Sequence, residues 1–381
     1  MSPAGNCNVP IKILFLLSSF RAGGAERQVF NLIHGINKSH YEVHVGLIQY
    51  RDSRPTQVLL ESLSGVYVKL FERKYKADLS IITEIAKYAR ENDIDIIQSL
   101  LFMDNQIARL VGLISRKPVV TSIRGEILPL LGKSKSWFEH RMQILSKKII
   151  VNSNWLKEYL VRCGSRSEKV VVIHNGTESG NFTSNADPLM LRRKYGIAEG
   201  AKVIGIVARL HPMKDHVTFF DAVKLVRESL PSVHAVVAGD GELQETLKEY
   251  VREIGLENNV TFLGNVTNDL PDIYRMMDVF LLTSQWGESF PNVILEAMSA
   301  SVPVVATNIS AVPEIIEDGT SGYMVEKKHA ALIAERTLKV LSDADLRREF
   351  VRNGLKRVEA FTVEKMVKNY EQLYTSIINA H

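Results

Sequence analysis

Short apolar runs alternate with helix-like segments along almost the whole chain. In the first half the runs are "KILFLLSS", "YEVHVGLIQ", "VYVKLF", "DIIQSL", "PVVTSI", "KIIVNS" and "KVVVIHN". Each is short and nearly continuous in apolar residues, which is typical of strands buried on both faces. Patterns of helical period separate them, such as "AERQVFNLIHGI" and "NQIARLVGLISR". This alternation predicts parallel sheets covered by helices on both sides.

A polar segment without strand character, residues 181 to 200, interrupts this series and is the best candidate for a linker. A second series follows it: "AKVIGIVA", "HAVVAGD", "NVTFLG", "DVFLLTS", "VPVVATN" and "SGYMVE". We therefore predict an α/β protein of two doubly wound, Rossmann-like domains that face a central cleft. The expected boundaries are 1–185 for the N-terminal domain, 186–360 for the second domain and 361–381 for a C-terminal helix that packs back toward the first domain.

Composition narrows the class of protein only slightly. The chain has 381 residues, a net charge of +4 and two cysteines. The weak basic charge does not favour a nucleic-acid partner, although it suits anionic small molecules or an anionic membrane. The cysteines give neither a disulfide framework nor a metal-ligand spacing, which fits a cytoplasmic protein. The apolar start, Ile11 to Phe20, is interpreted as a buried first strand because no cleavage site follows it.

Ligands of parallel sheets bind beyond the carboxyl ends of the strands, so the loops that follow strands are the candidates. The first such loop contains Gly23 and Gly24. Glycines here let backbone N–H groups approach a ligand closely, or they form only a tight turn. The loop lacks the G-x-G-x-x-G pattern, which disfavours a dinucleotide oxidoreductase.

Two further loops open the second series. Arg209 and Lys214 follow its first strand and form either a clamp for a diphosphate or two solvated cations. Gly239 and Asp240 follow the next strand, where small residues would let a nucleotide pass. The alternative for that loop is an ordinary strand–turn–helix junction with Asp240 as a cap.

The last two candidate loops lie later in this half. Residues Val266 to Leu270 follow a strand and would present backbone groups to a nucleobase. In "QWGESFPNVILEAMSAS", Glu288 precedes a predicted helix start and Glu296 lies in its second turn. Either the two carboxylates only favour the helix dipole and solvent, or both face a ligand at the helix N-terminus. The phosphate-holding positions would then be Ser289, Phe290, Pro291 and Asn292.

The stretch "GESFPNVILEAMSASVPVVATNISAVPEIIEDGTSGYMV" resembles the C-terminal signature of retaining glycosyltransferase family 4, which has the GT-B fold. The Gly-Gly loop, the loop with Arg209 and Lys214, "GDGEL", "FLG" and "HNGTE" follow in the order of that family. The resemblance covers roughly residues 11–375. It implies an enzyme of the hexosyltransferase class that moves a sugar from a nucleotide diphosphate sugar, with UDP favoured, to a hydroxyl of a glycan or lipid-linked acceptor in cell-surface polysaccharide or glycoconjugate synthesis.

The resemblance also implies roles for individual residues. Arg209 and Lys214 would stabilise the diphosphate, Glu296 would bind the ribose and Glu288 would contact the donor sugar. Gly23 and Gly24 would close over the diphosphate from the other domain. Many family members carry a histidine where this chain has Arg124, and arginine cannot act as a general base. Arg124 would then bind an anionic acceptor, or the phosphate of the donor would take the acceptor proton; otherwise Arg124 is a strand-end residue paired with Glu126.

Retention of the anomeric configuration would follow from a covalent intermediate on a carboxylate or from same-face attack, which the resemblance favours. No cofactor and no metal is expected, because Arg209 and Lys214 would neutralise the diphosphate. Asp93-Ile94-Asp95 fits a D-x-D pattern but lies at the wrong end of its strand, so we interpret it as structural. The alternative functions are a nucleotide-sugar 2-epimerase, a phosphorylase and a non-catalytic nucleotide-sugar-binding protein.

A basic stretch with aromatic residues, Lys133 to Lys148, bears on localisation. It would lie on the anionic inner face of a membrane, or it is an ordinary helix with its apolar face in the core, which we favour. A cytoplasmic protein with a peripheral membrane contact is therefore a hypothesis from this stretch.

Overall fold

The computed structural model describes residues 9–18, 24–50, 65–73, 78–100, 102–124, 132–177, 187–266 and 269–380. The chain forms two compact units. Unit 1 comprises Met1–His174 together with Glu364–His381, and unit 2 comprises Asn175–Val363. The C-terminal segment therefore belongs to the same unit as the N-terminal half of the chain.

Unit 1 is built on a parallel sheet with seven strands among its described residues, in the order β3-β2-β1-β4-β5-β6-β7. The strands are β1 Ile11–Leu17, β2 Tyr41–Tyr50, β3 Tyr67–Arg73, β4 Ile96–Ser99, β5 Val119–Ile123, β6 Lys148–Val151 and β7 Val170–Val172. The helices are α1 Gly24–Gly35, α2 Ser80–Glu91, α3 Phe102–Ser115, α4 Gly132–Met142 and α5 Asn154–Arg162, with short 3-10 turns at Gln143–Leu145 and Ser167–Lys169.

Unit 2 repeats this architecture with a parallel sheet of six described strands, in the order β10-β9-β8-β11-β12-β13. They are β8 Lys202–Val207, β9 Val233–Ala238, β10 Val260–Gly264, β11 Val279–Leu282, β12 Val304–Thr307 and β13 Tyr323–Val325. The helices are α6 Pro188–Lys194, α7 His216–Ser229, α8 Gln244–Glu253, α9 Leu270–Arg275, α10 Asn292–Ser299, α11 Val312–Ile315, α12 Ala330–Ser342 and α13 Ala344–Val358. A 3-10 turn at Pro212–Lys214 and another at Glu359–Phe361 complete it, and α14 Val363–Asn379 leads back into unit 1.

All thirteen apolar runs identified in the sequence are strands of these two sheets, which confirms the doubly wound α/β prediction. Their side chains form the cores, and β8, β9 and β11 are almost completely buried. This burial was expected because apolar and polar residues do not alternate in their sequences. The strand order reverses between β1 and β4 in unit 1 and between β8 and β11 in unit 2. These two switch points are where a doubly wound sheet opens a crevice for a ligand.

The polar segment that interrupts the strand series is helical in its described part. Asp187 caps α6 by accepting the N–H of Leu189 at 2.9 Å. From the same helix Arg192 donates to the backbone oxygen of Met276 and to the carboxylate of Asp278, at 2.6 and 3.0 Å. Residues 187–200 are thus fastened inside unit 2, so the interpretation of residues 181–200 as a linker is wrong for their described part; residues 178–186 lie outside the described residues.

Helix α4 is oriented differently from the favoured interpretation of its sequence. Among the side chains of α4 that the structure describes, Glu139 is the buried one, and it forms an ion pair with the buried Arg109 at 2.8 Å. Trp137 is 61% exposed, and Phe138 and Ile144 are also exposed. The expectation that the apolar face lies in the core is wrong for these three residues, because the paired Glu139 takes the inward position instead.

The Asp93-Ile94-Asp95 stretch has the structural role that was predicted. Asp93 has a left-handed backbone, with φ of 52°, at the turn that leads into β4. The carboxylate of Asp95 accepts the backbone N–H of Lys12 at 2.9 Å, so it joins the start of β4 to that of β1. Both residues lie at the amino ends of the strands, away from the edge where ligands bind.

Candidate active site

The loops after β8 and β11 meet at the switch point of unit 2. The N–H of Gln285 donates to the backbone oxygen of Met213 at 2.9 Å. The hydroxyl of Thr283 donates to the backbone oxygens of Lys214 and Asp215, at 2.9 and 3.1 Å. The two loops that carry the predicted catalytic residues are therefore held against each other by backbone groups.

Lys214 and Glu288, which were predicted separately, form a buried ion pair. The Lys214 Nζ lies 2.5 Å from Oε1 of Glu288, whose residue is only 6% exposed. The buried hydroxyl of Ser284 donates to the same oxygen at 2.5 Å. Among the described residues, Oε2 of Glu288 receives no hydrogen bond. The pair thus fixes both side chains at the switch point and leaves one carboxylate oxygen able to accept another donor.

The backbone of the loop after β8 places Lys214 where it is. His211 caps the 3-10 turn Pro212–Lys214 by accepting the N–H of Met213 on its ring. Asp215 then adopts a left-handed conformation, with φ of 48° and ψ of 55°, and its carboxylate accepts the N–H and hydroxyl of Thr218. Aspartate tolerates this conformation and is a favoured N-cap, so one residue both reverses the chain after Lys214 and starts α7.

Gly239 and Gly241 allow the loop after β9 to press against the loop after β8. A Cβ on Gly239 would lie 1.9 Å from the backbone oxygen of Ala208, and Gly239 has φ of 144°. A Cβ on Gly241 would lie 2.4 Å from the oxygen of Leu210. Asp240 is exposed, and its carboxylate accepts the N–H of Gly241 at 2.7 Å. The two glycines thus hold the strand end that carries Arg209 in place.

The helix start after Glu288 differs in detail from the sequence prediction. Pro291 is the N-cap and Asn292 the first residue of α10, one position later than expected. Ser289 donates its N–H to Gly287 at 3.1 Å, and proline has no N–H, so neither of these backbone positions can hold a phosphate. The side chain of Phe290 is buried against Phe361, with ring centroids 5.3 Å apart. The amides of the first helical turn, beginning at Asn292, are the donors that face outward at a helix start.

Glu296 lies in the second turn of α10 and is held by a neighbouring helix. The hydroxyl of the fully buried Tyr274 donates to its Oε2 at 2.9 Å. The carboxylate is only partly buried. Tyr274 therefore orients one carboxylate oxygen of Glu296, while the side chain still reaches the surface. A carboxylate must be accessible in this way to accept a hydrogen bond from a ligand hydroxyl.

We expect Glu296→Ala to weaken UDP binding about tenfold to one hundredfold, because the loss of a charged hydrogen-bond acceptor costs about 1.5–3 kcal/mol. Tyr274→Phe should weaken it by a smaller factor, since it removes only the hydroxyl that orients Glu296. Calorimetry of each variant with UDP measures both effects. An unchanged UDP affinity in Glu296→Ala would contradict a role of this carboxylate in ribose binding.

The other sequence candidates occupy the strand ends of their own units. Arg209 follows β8 with an exposed side chain that forms no ion pair with a described residue. Val266 follows β10 and Leu270 begins α9. In unit 1, Gly24 is the exposed first residue of α1, after β1; Gly23 lies outside the described residues.

Arg124 directly follows β5 in unit 1. It is partly buried, and its Nη2 lies 3.4 Å from the hydroxyl oxygen of Tyr370 on α14. Glu126, its expected partner in the structural interpretation, lies outside the described residues. The C-terminal helix therefore contributes a side chain to the surroundings of the candidate acceptor residue, which the sequence did not indicate.

His216, the first residue of α7, is a buried imidazole beside this cluster. It is 2% exposed, and neither ring nitrogen has a hydrogen-bond partner among the described residues. Burial, with a smaller contribution from Lys214, lowers its pKa from 6.5 to about 4, while Asp215 acts in the opposite direction. The ring is therefore neutral in the folded protein at pH 7.

This shift makes the stability of the fold depend on pH. Between pH 6.5 and about 4 the unfolded chain binds a proton on His216 that the folded protein does not, so the free energy of unfolding falls as pH falls through this range. The full shift corresponds to about 3 kcal/mol. Urea unfolding of the wild type and of His216→Met at several pH values should show the smaller pH dependence in the variant. Equal slopes would contradict this prediction.

No group of three or more metal-ligating side chains occurs within the described ranges. Several residues of the cluster escaped the sequence analysis. Ser284 and Tyr274 are single polar groups in apolar surroundings. Gly241 and Gly287 are important because a side chain at either position would clash with a neighbouring residue. A Cβ on Gly287 would lie 2.3 Å from the sulfur of Met213, for example. Only the position of Ser284 at the end of a predicted strand offered a signal.

Comparison with known proteins agrees with this geometry. Residues 190–357 match the family model described as "Glycosyl transferases group 1", and residues 22–179 match "Glycosyltransferase Family 4". An uncharacterized glycosyltransferase of Methanocaldococcus jannaschii is 30% identical over 74% of this chain and 75% of its own length. The N-acetyl-alpha-D-glucosaminyl L-malate synthase of Bacillus anthracis is 26% identical over 79% of this chain and 80% of its own.

Among solved structures, Anabaena HepE in complex with UDP and glucose superposes with a TM-score of 0.84 at 26% identity, over 96% of this chain and all of that one. The two doubly wound sheets are thus those of a glycosyltransferase. The chain belongs to glycosyltransferase family 4, of the group 1 glycosyl transferases, and it has the GT-B fold. It is a glycosyltransferase of the hexosyltransferase class.

Proposed function

We propose that this protein transfers a sugar from a UDP-sugar to a hydroxyl of a glycan or lipid-linked acceptor, with retention of the anomeric configuration. The observation that carries the proposal is the buried Lys214–Glu288–Ser284 cluster at the switch point of unit 2. Anabaena HepE has been solved with UDP and with UDP-glucose. An Escherichia coli relative is named for galactose transfer from UDP-Gal to a diphosphoundecaprenol-linked sugar. Both support a UDP-sugar donor, and the second supports a lipid-linked acceptor.

The donor would lie with its diphosphate on the loop after β8 and the start of α10. Arg209 can give paired hydrogen bonds to phosphate oxygens, and Lys214 supplies a point charge. The first-turn amides of α10 add the positive end of a helix dipole. When the bond between sugar and phosphate breaks, negative charge grows on the diphosphate. These groups stabilise that charge without reorganising, because the loops around them are already fixed.

Glu288 would contact the sugar rather than attack it. Its Oε1 is engaged by Lys214 and by Ser284, and both bonds stabilise the carboxylate as an anion. Such stabilisation lowers its nucleophilicity, which supports same-face attack over a covalent glycosyl intermediate. Its Oε2 would accept a hydroxyl of the donor sugar.

On the acceptor side, Arg124 would bind an anionic group, such as a phosphate of a lipid-linked acceptor. The hydroxyl of Tyr370 near its Nη2 limits the positions that its guanidinium can take. An arginine cannot accept the acceptor proton, so the departing phosphate of the donor would take it. No metal is expected in this scheme, because cationic side chains neutralise the diphosphate.

The first experiment is calorimetry of the purified protein with UDP, GDP, ADP and NAD in turn, without added metal. We expect selective binding of UDP, after which UDP-sugars are screened for UDP release with and without acceptor. Conversion of the donor to its 2-epimer without an acceptor would indicate an epimerase, and binding without turnover a non-catalytic protein. Binding of NAD alone, or of no nucleotide, would contradict the proposal.

A peripheral membrane contact is the second part of the proposal. The surface formed by Trp137, Phe138, Arg141 and Ile144 combines exposed apolar side chains with an exposed cation, and the Arg141 guanidinium lies 5.3 Å from the centre of the Trp137 ring. None of the described helices is long and apolar enough to span a bilayer. Aromatic and basic side chains on one helix face suit the interface of an anionic bilayer.

We expect the wild-type protein to sediment with vesicles that contain anionic lipid, and Trp137→Ala/Ile144→Ala to lose most of this binding. Both side chains are exposed, so the double variant should keep its fold and its UDP affinity. Leu113→Ala, at another exposed apolar side chain of unit 1, is the matched control. Equal sedimentation of all three proteins, or of none, would count against a membrane contact at α4.

A further inference from the structure

A basic groove lies at the amino ends of the strands of unit 2, the edge opposite the candidate active site. Lys202 begins β8, Asp278 precedes β11 and Pro303 precedes β12, and together they form one wall. Helix α13 forms the other wall. The groove has a volume of about 1070 Å³, close to the upper end of the 300–1,000 Å³ typical of small-molecule sites. It shares no lining residue with the active-site cluster.

Helix α13 presents two parallel rows of side chains to this groove. The outer row is Arg348, Arg352 and Lys356, and the inner row is Arg347, Val351 and Leu355. Residues four apart lie about 6 Å apart along a helix. The outer row is therefore a line of three cations with regular spacing, beside an inner row that is mainly apolar.

The groove carries more positive charge than its carboxylates neutralise. It is lined by five cationic side chains and by two carboxylates, Asp278 and Glu359. Asp278 already lies 3.0 Å from Arg192, 3.7 Å from Lys202 and 3.9 Å from Arg347, so one carboxylate serves three cations. In the outer row, Arg348 pairs with the exposed Asp345.

The other two cations of the outer row are not neutralised by the protein. Arg352 and Lys356 are exposed and form no ion pair with any residue that the structure describes. Arg352 lies about 6 Å along the helix from both Arg348 and Lys356, so these positive charges repel one another. A ligand with several negative charges would relieve this repulsion. If it lay in the groove, it could contact all three cations of the outer row at once.

We propose that this groove binds a small organic molecule with two or more phosphate groups. The arginines supply paired donors for phosphate oxygens and the lysines supply point charges. The apolar side chains of Met277, Val351 and Leu355 offer a surface for the carbon-containing part of the ligand. This site goes beyond the proposed function, because none of its residues belongs to the donor or acceptor machinery.

The test is calorimetry with inorganic tripolyphosphate as probe, in the presence of saturating UDP so that the donor site is occupied. We expect one saturable site on the wild-type protein. Arg352→Ala/Lys356→Ala should weaken it at least tenfold, about 1.4 kcal/mol. The control Lys224→Ala/Lys327→Ala removes two exposed cations outside the groove and should leave the affinity unchanged.

Absence of a site beyond that of UDP, or equal weakening in both double variants, would overturn the proposal. So would binding of the wild type to anionic vesicles that is lost in Arg352→Ala/Lys356→Ala while tripolyphosphate does not bind, since the groove would then serve a membrane surface. UDP affinity of the groove variant, measured separately, should equal that of the wild type. If UDP itself failed to bind, the donor proposal would fall while the tripolyphosphate titration still tested the groove.

Discussion

Lys214→Ala should lower the rate of UDP release from the donor by about 100-fold or more, the size expected when a preorganised group that stabilises transition-state charge is removed. The effect should fall mainly on kcat, because the proposed contact of Lys214 with the diphosphate would strengthen as the sugar–phosphate bond breaks. The ion pair with Glu288 explains why the lysine is so well placed: its Nζ is fixed 2.5 Å from a buried carboxylate before any donor arrives.

The same substitution leaves Glu288 buried with Ser284 as its remaining hydrogen-bond donor. An uncompensated buried carboxylate is unfavourable, so the free energy of unfolding should also fall, by about 1–3 kcal/mol. UDP release and urea unfolding, measured on one preparation, separate the two effects. Lys224→Ala, on the exposed side of α7, is the control and should change neither. Wild-type turnover in Lys214→Ala would remove Lys214 from the catalytic machinery.

Gly239→Ala should destabilise the protein by about 3 kcal/mol or more, because it combines a steric conflict with backbone strain. The new Cβ would lie 1.9 Å from the backbone oxygen of Ala208, which cannot move aside as a flexible side chain would. The φ of 144° is also one that residues with a side chain rarely adopt. Since Ala208 precedes Arg209, the displaced loop should also weaken UDP binding by at least about tenfold.

Gly255→Ala provides the matched control for this prediction. Gly255 has a positive φ of 72°, but a Cβ there would meet nothing within 4 Å. Its substitution should therefore cost only the conformational strain of a left-handed residue, about 1–2 kcal/mol. Urea unfolding of both variants measures the difference. Equal destabilisation would show that the approach of the two loops at Gly239 contributes nothing to stability.

The fold was predictable because its strands are buried on both faces. A run such as "KVIGIV" must be covered on both faces of the sheet. The segments between such runs have apolar residues at helical spacing, so they predict the helices that cover the sheet. The failures have specific physical causes. The segment before β8 was interpreted as a linker because the sequence does not show that Arg192 anchors it to Met276 and Asp278, which lie more than eighty positions away.

Helix α4 was misjudged for a similar reason. Its sequence shows aromatic and apolar residues that would normally face a core. Glu139 faces inward instead, since Arg109 meets it there from thirty positions earlier in the chain. A buried charge can be recognised only when its partner is known, and a single sequence does not reveal the pairing.

The sequence named several residues of the candidate site but did not reveal the hydrogen bonds between them. Arg209, Lys214 and Glu288 follow strands, and Glu296 lies in the second turn of a helix, which the sequence shows. That Lys214 and Glu288 share a hydrogen bond across seventy-four positions follows only from the adjacency of β8 and β11. Ser284 and Tyr274, which orient the two carboxylates, have no periodic or compositional signature. Tertiary contacts between single polar side chains are therefore the part that sequence reasoning missed.

The return of α14 to unit 1 has a consequence for the order in which the chain matures during synthesis. Tyr370 and Tyr374 are almost completely buried in unit 1, and the Tyr374 hydroxyl donates to Gln98 at 3.2 Å. These side chains leave the ribosome after unit 2, which is continuous in the chain and is synthesised before them. The core of the nascent N-terminal half therefore stays incomplete until α14 has been synthesised. While α14 is still being made, the N-terminal half remains open to chaperones and proteases although all of unit 2 has been synthesised.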